Sequence, residues 1–210
     1  MSLWLMNVWA CQNKMIINYA KTKEIVFHRP HPSKFSIQPT FDTIELVHDC
    51  KLLSVYLSDK LSFVKHVNYI LACCNKRFYL LKTLRDGGMP LAKLNVIFCS
   101  LIVNRITYCL AAWGGYLTLE QAGRIDALFR RARRYGFVDC EYDVLGMLAL
   151  SDSKMFRSIQ MEHHCLHYIL PFTRPGESFL RMRGHQFYLP LCRYDFYRKS
   201  FLPRCLYNMV

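Results

Sequence analysis

The sequence predicts an α+β chain, with a small antiparallel sheet first, a mostly α-helical bundle after it, and a basic C-terminal tail. Three observations carry this reading. Short β-prone runs alternate with polar turns before residue 60, and the apolar period changes to three and four after Ser58-Asp59. Beyond Pro171 no period holds, and seven basic residues stand against two acidic ones. With 52% hydrophobic residues over 210 positions, the chain can bury a core rather than stay disordered.

Residues 3–14, with Trp4, Met6, Val8, Trp9 and Ala10, read as the last turns of a helix that opens without a cap. This leads us to expect an element severed from something upstream. Met15 to Ile17 and Ile25 to Phe27 are β-prone runs on either side of an Asn18-x-x-Lys21-Thr22-Lys23 loop. Pro30-His31-Pro32 breaks the chain, since each Pro removes a donor and restrains its neighbour. Ile44 to Val47 and Leu52 to Leu57 read as two further strands, joined through His48, Asp49 and Lys51, to give four strands in all.

Phe63, Val67, Ile70, Cys74, Phe78 and Leu81 then fall on one face of a helix that should stop at Gly87-Gly88. A second helix is expected from Leu91 to Trp113, ended by Gly114-Gly115, and a third from Leu119 to Arg134. Thr118 would cap the third, and Ala122, Ile125, Phe129 and Ala132 would be its inner stripe. Val144 to Leu150 and Met155 to Leu170 look helical. These elements divide the chain at 1–60, 61–136 and 137–210.

The formal net charge is +13, and its excess is concentrated in the middle: residues 61–136 carry 12 basic and 3 acidic residues. Such a segment repels itself unless it faces a polyanion, so nucleic acid is the expected partner. Ten Cys occur without any Cys-x-x-Cys spacing and without a leader-like start, so free thiols in an intracellular protein are expected, in cytoplasm or nucleus. The most apolar stretch, Val96 to Leu117, places Asn104 and Arg105 where a bilayer centre would be; a central Arg costs about 3 kcal/mol there. A buried helix, and no membrane partner, is the expectation.

Several pieces in order form a pattern: Trp9 to Asn13, Met15 to Asn18, Lys21-Thr22-Lys23, Lys51 to Asp59, the helix from Phe63 to Leu84, Arg105 to Gly114, and Lys199 to Cys205. Together they resemble the closing part of a non-LTR (LINE-type) retrotransposon reverse transcriptase, over essentially the whole chain. The resemblance implies a palm remnant, a thumb-like bundle and a C-terminal extension, with the palm and fingers portion missing upstream. It also implies that Lys21 and Lys23 lie near triphosphate or template, and that Leu53 to Leu57 form the primer-grip strand. Ser54 stands where that family usually has Gly. Template–primer, as DNA or RNA–DNA hybrid, is the implied partner.

Nucleotide transfer in such an enzyme uses Mg²⁺ ions held by clustered carboxylates. No Asp or Glu precedes Glu24, and Asp-Asp occurs nowhere. We therefore expect no catalytic residue, no metal ligand and no cofactor in this chain, although the intact polymerase would need Mg, and no polymerisation in isolation. Residues 9–70 are also similar to the N-terminal segment of an AlkB-type tRNA-modifying dioxygenase, which would make the chain an RNA-binding accessory segment. No His-x-Asp is present to hold Fe(II). A nonfunctional translated relic is the third reading.

Arg130, Arg131, Arg133 and Arg134 span an arc of about 160° on a helix, away from its apolar stripe, and are the candidate phosphate contacts. Cations opposing a helix dipole would account for one or two of them. Lys21 and Lys23 either contact phosphate or protect a sheet edge. His163, His164, Cys165 and His167 lack a further ligand at zinc spacing and read as structural or surface side chains.

Overall fold

The computed structural model describes residues 3–28, 44–173 and 184–209. The Pro30-His31-Pro32 break and part of the C-terminal tail lie outside these residues. The fold class is α+β with a small antiparallel sheet, as the sequence predicts, and the chain forms two compact units, Met1–Phe63 and Val64–Val210.

In the first unit, α1 (Leu3–Gln12) carries no charged side chain. Its C-terminus is closed by Asn13, whose amide donates to the Trp9 carbonyl at 2.8 Å. The Asn18 side chain then caps a 3-10 turn (Tyr19–Lys21), accepting from the Lys21 amide at 3.2 Å. The Tyr19 hydroxyl donates to Asn7 at 2.8 Å and ties that turn back to α1. Only β1 (Lys23–Glu24) remains for pairing, with β2 (Glu45–Leu46), and that pair is parallel. The strands expected at 15–17 and 25–27 do not form; the Met15 amide donates instead to the Ala10 carbonyl of α1 at 2.8 Å, and the chain at 25–27 is irregular.

The antiparallel sheet is the hairpin of β3 (Asp49–Leu52) and β4 (Val55–Ser58), in the register Leu52↔Val55 to Asp49↔Ser58. Its turn is Leu53-Ser54, not the polar residues near His48. Both turn residues have positive φ, 44° and 70°, as a two-residue turn matched to strand twist requires. Leu53 is therefore in the turn and only Val55 onward is strand. The Gly that the resemblance places at position 54 is the residue this backbone favours, and Ser bears the strain there.

In the second unit, α2 (Val64–Asp86) buries Val67, Ile70, Leu71, Cys74, Phe78 and Leu81 and stops at the two glycines, Gly88 having φ +82°. α6 (Leu119–Arg134) begins with a capping box, in which Thr118 and Gln121 satisfy each other's backbone amides. It buries Ala122, Ile125, Leu128, Phe129 and Ala132. The expected helix 91–113 is instead broken. α3 (Leu91–Phe98) passes into a π-helical turn (Cys99–Val103), then α4 (Asn104–Thr107), a left-handed residue at Cys109 (φ 53°), α5 (Leu110–Trp113) and a 3-10 turn (Gly114–Tyr116).

The sequence states the reason. Leu94, Phe98, Ile102, Ile106 and Leu110, all nearly inaccessible to solvent, recur every four residues. In a straight α-helix each step of four turns such a stripe by about 40°. The wider π turn and the break at Cys109 keep it on one face. Leu91–Tyr116 is long and apolar enough by composition to cross a membrane, yet this face of it is the core of the second unit. The last helical stretch does end at Trp113, with Gly114 as its C-cap, as expected, and Gly114 and Gly115 also allow close approach. A Cβ on Gly114 would come within 2.7 Å of the Leu148 side chain, and one on Gly115 would collide with the Arg204 guanidinium.

α7 (Val144–Ile159) is a single helix where two runs were expected, and it ends at Ile159. Asp143 and Asp126 accept from its first amides, Val144 to Gly146. After α8 (Asp195–Arg198), α9 (Phe201–Asn208) packs on α7 through Phe156, Ile159, Cys205 and Leu206. Between them Arg204 makes a buried two-point ion pair with Asp152, both bonds 2.7 Å, and donates to the Ala111 carbonyl at 2.8 Å. Helices from both sides of residue 136 thus belong to one unit.

Candidate nucleic-acid interface

α2 and α6 together carry ten basic and three acidic residues. Arg124 donates to the Asn68 side chain at 2.7 Å, and Arg131 donates to the Asn75 side chain. Both pairs have the same sequence offset, so the helices run parallel, and each helix repeats its member after seven residues. Two turns of helix put the two arginines about 10.5 Å apart along the axis. One repeat further on, the Lys82 ammonium lies 4.3 Å from the Tyr135 ring centroid, and Arg85 donates to the Tyr135 carbonyl at 2.7 Å.

The partners of Arg124 and Arg131 are neutral amides. An Asn oxygen orients a guanidinium without cancelling its charge, whereas a carboxylate would do both. The Arg131 guanidinium also stacks on Phe78 at 4.6 Å, and its Nε is buried with no hydrogen-bond partner among the described residues. Arg85 is ion-paired with Asp86, but Arg124 and Arg131 along the seam of α2 and α6 are held in place by neutral side chains and left charged.

The four arginines read from the sequence do not act alike. Arg131 belongs to this seam, and Arg134 is exposed with no ion pair among the described residues. Arg133 is ion-paired with Glu141. Arg130 and Arg133 line a cleft of about 270 Å³ shared with Asp126, Glu141 and Asp143, whose three carboxylates offset their charge. Arg124, Asn68, Asn75 and Lys82 were not singled out from sequence; the signal was the seven-residue repeat on both helices.

In the first unit, Lys23 is ion-paired with Glu45 across β1 and β2. Lys21 is exposed at the end of the capped turn, with no ion pair among the described residues. The polar hub of this unit is Asp59, whose Oδ2 lies 2.8 Å from His48 Nδ1 and 3.3 Å from His28 Nε2. Burial works to raise the Asp59 carboxyl, but the two histidine hydrogen bonds outweigh it and hold it below the ordinary carboxylate range.

His163, His164, Cys165 and His167 lie beyond the end of α7, so His163 and His167 do not share a helix face. His164 Nδ1 accepts from the Leu166 amide at 3.1 Å, and His167 Nδ1 lies 3.0 Å from the Ile159 carbonyl. Among the described residues no three His, Cys, Asp or Glu side chains are grouped to hold a metal ion. No protein-family model, curated protein or solved structure matches the chain.

Proposed function

We propose that the chain is a nucleic-acid-binding fragment of reverse-transcriptase type that grips the backbone of a template–primer duplex along α2 and α6 and does not polymerise alone. The observation that carries this reading is the pair Arg124 and Arg131, oriented by Asn68 and Asn75 with their charge intact. Contacts of that kind read phosphate and not base, so binding is insensitive to sequence and sensitive to salt. The second half of the proposal rests on residues 1–23, which contain no Asp or Glu to hold the metal ions that nucleotide transfer uses.

The test is binding of a labelled RNA–DNA hybrid to the purified chain across a salt series, with primer extension measured in parallel. We expect affinity to fall as salt rises, Arg124→Ala with Arg131→Ala to weaken binding at low salt, and extension to stay at the level of a mock preparation. Salt-independent binding, or binding indifferent to that double substitution, would remove the interface. Extension above the mock would remove the claim of inactivity.

A further inference from the structure

Tyr79 stands on α2 beside the seam and is 78% exposed. It follows Asn75 by four residues and precedes Lys82 by three, so it shares their side of the helix, about 6 Å along the axis beyond the rung of Asn75 and Arg131. Both neighbours are engaged with α6: Asn75 accepts from Arg131, and the Lys82 ammonium lies near the Tyr135 ring. The Tyr79 ring and hydroxyl make no ring contact and no hydrogen bond among the described residues. Lys76 lies about 60° round the helix from Tyr79, on the side away from Asn75 and Lys82. It is exposed, with no ion pair among the described residues. The single carboxylate of α2, Asp86, is ion-paired with Arg85.

We propose, resting on the interface described above, that an unpaired nucleotide next to the gripped duplex stacks its base on Tyr79 and sets its phosphate against Lys76. Within a duplex the bases are turned inward and stacked on one another, so a ring that stands beside a row of phosphate contacts is offered no base face. A nucleotide outside the duplex has its base face free, and an aromatic ring accepts it whatever the base, because every base has a π face. Arg124 and Arg131 hold the paired part, and the unpaired strand leaves across the exposed face of α2. The partner that fits this surface is a junction of duplex and single strand, bound without sequence preference.

The experiment compares two RNA–DNA hybrids of one sequence on the purified full chain across a salt series. One is blunt; the other carries a short unpaired overhang, tested in both polarities, whose first base is a fluorescent adenine analogue quenched by stacking. We expect the overhang hybrid to bind about tenfold tighter in one polarity and to lose emission on binding. Its salt slope should be steeper by about 0.7, the contribution of one single-strand phosphate at Lys76. Tyr79→Ala should abolish the tenfold preference and the quenching and leave the blunt hybrid unaffected, while Tyr79→Phe keeps both. Lys76→Ala should remove the difference in slope. Helical circular dichroism verifies that these surface variants are folded.

Equal binding of blunt and overhang hybrids in both polarities overturns the inference, as does a Tyr79→Ala change that weakens both hybrids alike. In either case the seam itself stands, provided affinity still falls with salt and with Arg124→Ala and Arg131→Ala. If neither hybrid binds in a salt-dependent way, the interface fails and this inference fails with it.

Discussion

His66 sits in α2 only 2% exposed, edge-on to Trp113 with ring centroids 4.8 Å apart. Burial alone pushes its pKa down, from 6.5 to about 4. Between those values the unfolded chain takes up a proton that the folded chain refuses. The second unit is therefore at full stability above about pH 6.5 and loses it as pH falls toward 4. At about 1.4 kcal/mol per pH unit, the loss is on the order of 3 kcal/mol. Urea denaturation followed by Trp113 emission at pH 7.5, 5.5 and 4.5 should show it, and His66→Gln should flatten that part of the profile. A wild-type profile as flat as the variant's would contradict the prediction. Asp59 acts in a separate window. Its folded carboxyl lies below 3.8, so its contribution in the first unit is present above that value and is lost only in stronger acid. Neither role was legible in the sequence, where a lone His in a helix and an Asp after a strand look ordinary. What decides them is which rings the fold brings beside them.

At the level of elements, the sequence was informative wherever one local rule sufficed. The stripe and glycine stop of α2, and the Thr118 cap and inner stripe of α6, follow from period and capping chemistry alone. It misled where tertiary packing set the backbone. The period of four from Leu94 to Leu110 was visible, but a continuous helix was the simpler reading, and only a core on one side makes the π turn necessary. Gly114 and Gly115 do mark a helix end, but their second role was hidden, because the Arg204 side chain that fills the space beside Gly115 comes from 89 residues further along the chain. The Arg204–Asp152 pair locks α9 to α7 and reaches α5 through the Ala111 carbonyl. Removing one member leaves a buried charge uncompensated, so Arg204→Ala should cost about 3–5 kcal/mol. Replacing both, Asp152→Leu with Arg204→Met, should restore most of that loss. The shortfall should be about 1–3 kcal/mol, because the Ala111 and Lys199 carbonyls both still lack their donor. Urea midpoints at constant slope measure both; a double variant no better than the single one would show that the pair does more than cancel its own charges.

Over the whole molecule, the charge that first pointed to nucleic acid proves unequal in kind. The sequence shows which residues are cationic, and from that it nominated Lys21, Lys23, Arg130, Arg131, Arg133 and Arg134. It does not show which cations are already answered. Glu45 answers Lys23, Glu141 answers Arg133, and Asp152 answers Arg204, each across a sequence gap that no local rule spans. Arg124 and Arg131 are answered only by neutral amides. The release of counterions from a nucleic acid scales with phosphates neutralised, so log affinity falls against log salt with a slope of about 0.9 per phosphate engaged on duplex. A cation already paired within the protein displaces little. Arg124→Ala and Arg131→Ala should therefore each reduce the magnitude of that slope by about 0.9, equally on probes of different sequence. Lys23→Ala and Arg133→Ala should leave it nearly unchanged, although both lie in stretches the sequence marked as phosphate contacts. Equal effects from all four substitutions would mean that the field of the whole basic surface, rather than the seam of α2 and α6, carries the interaction.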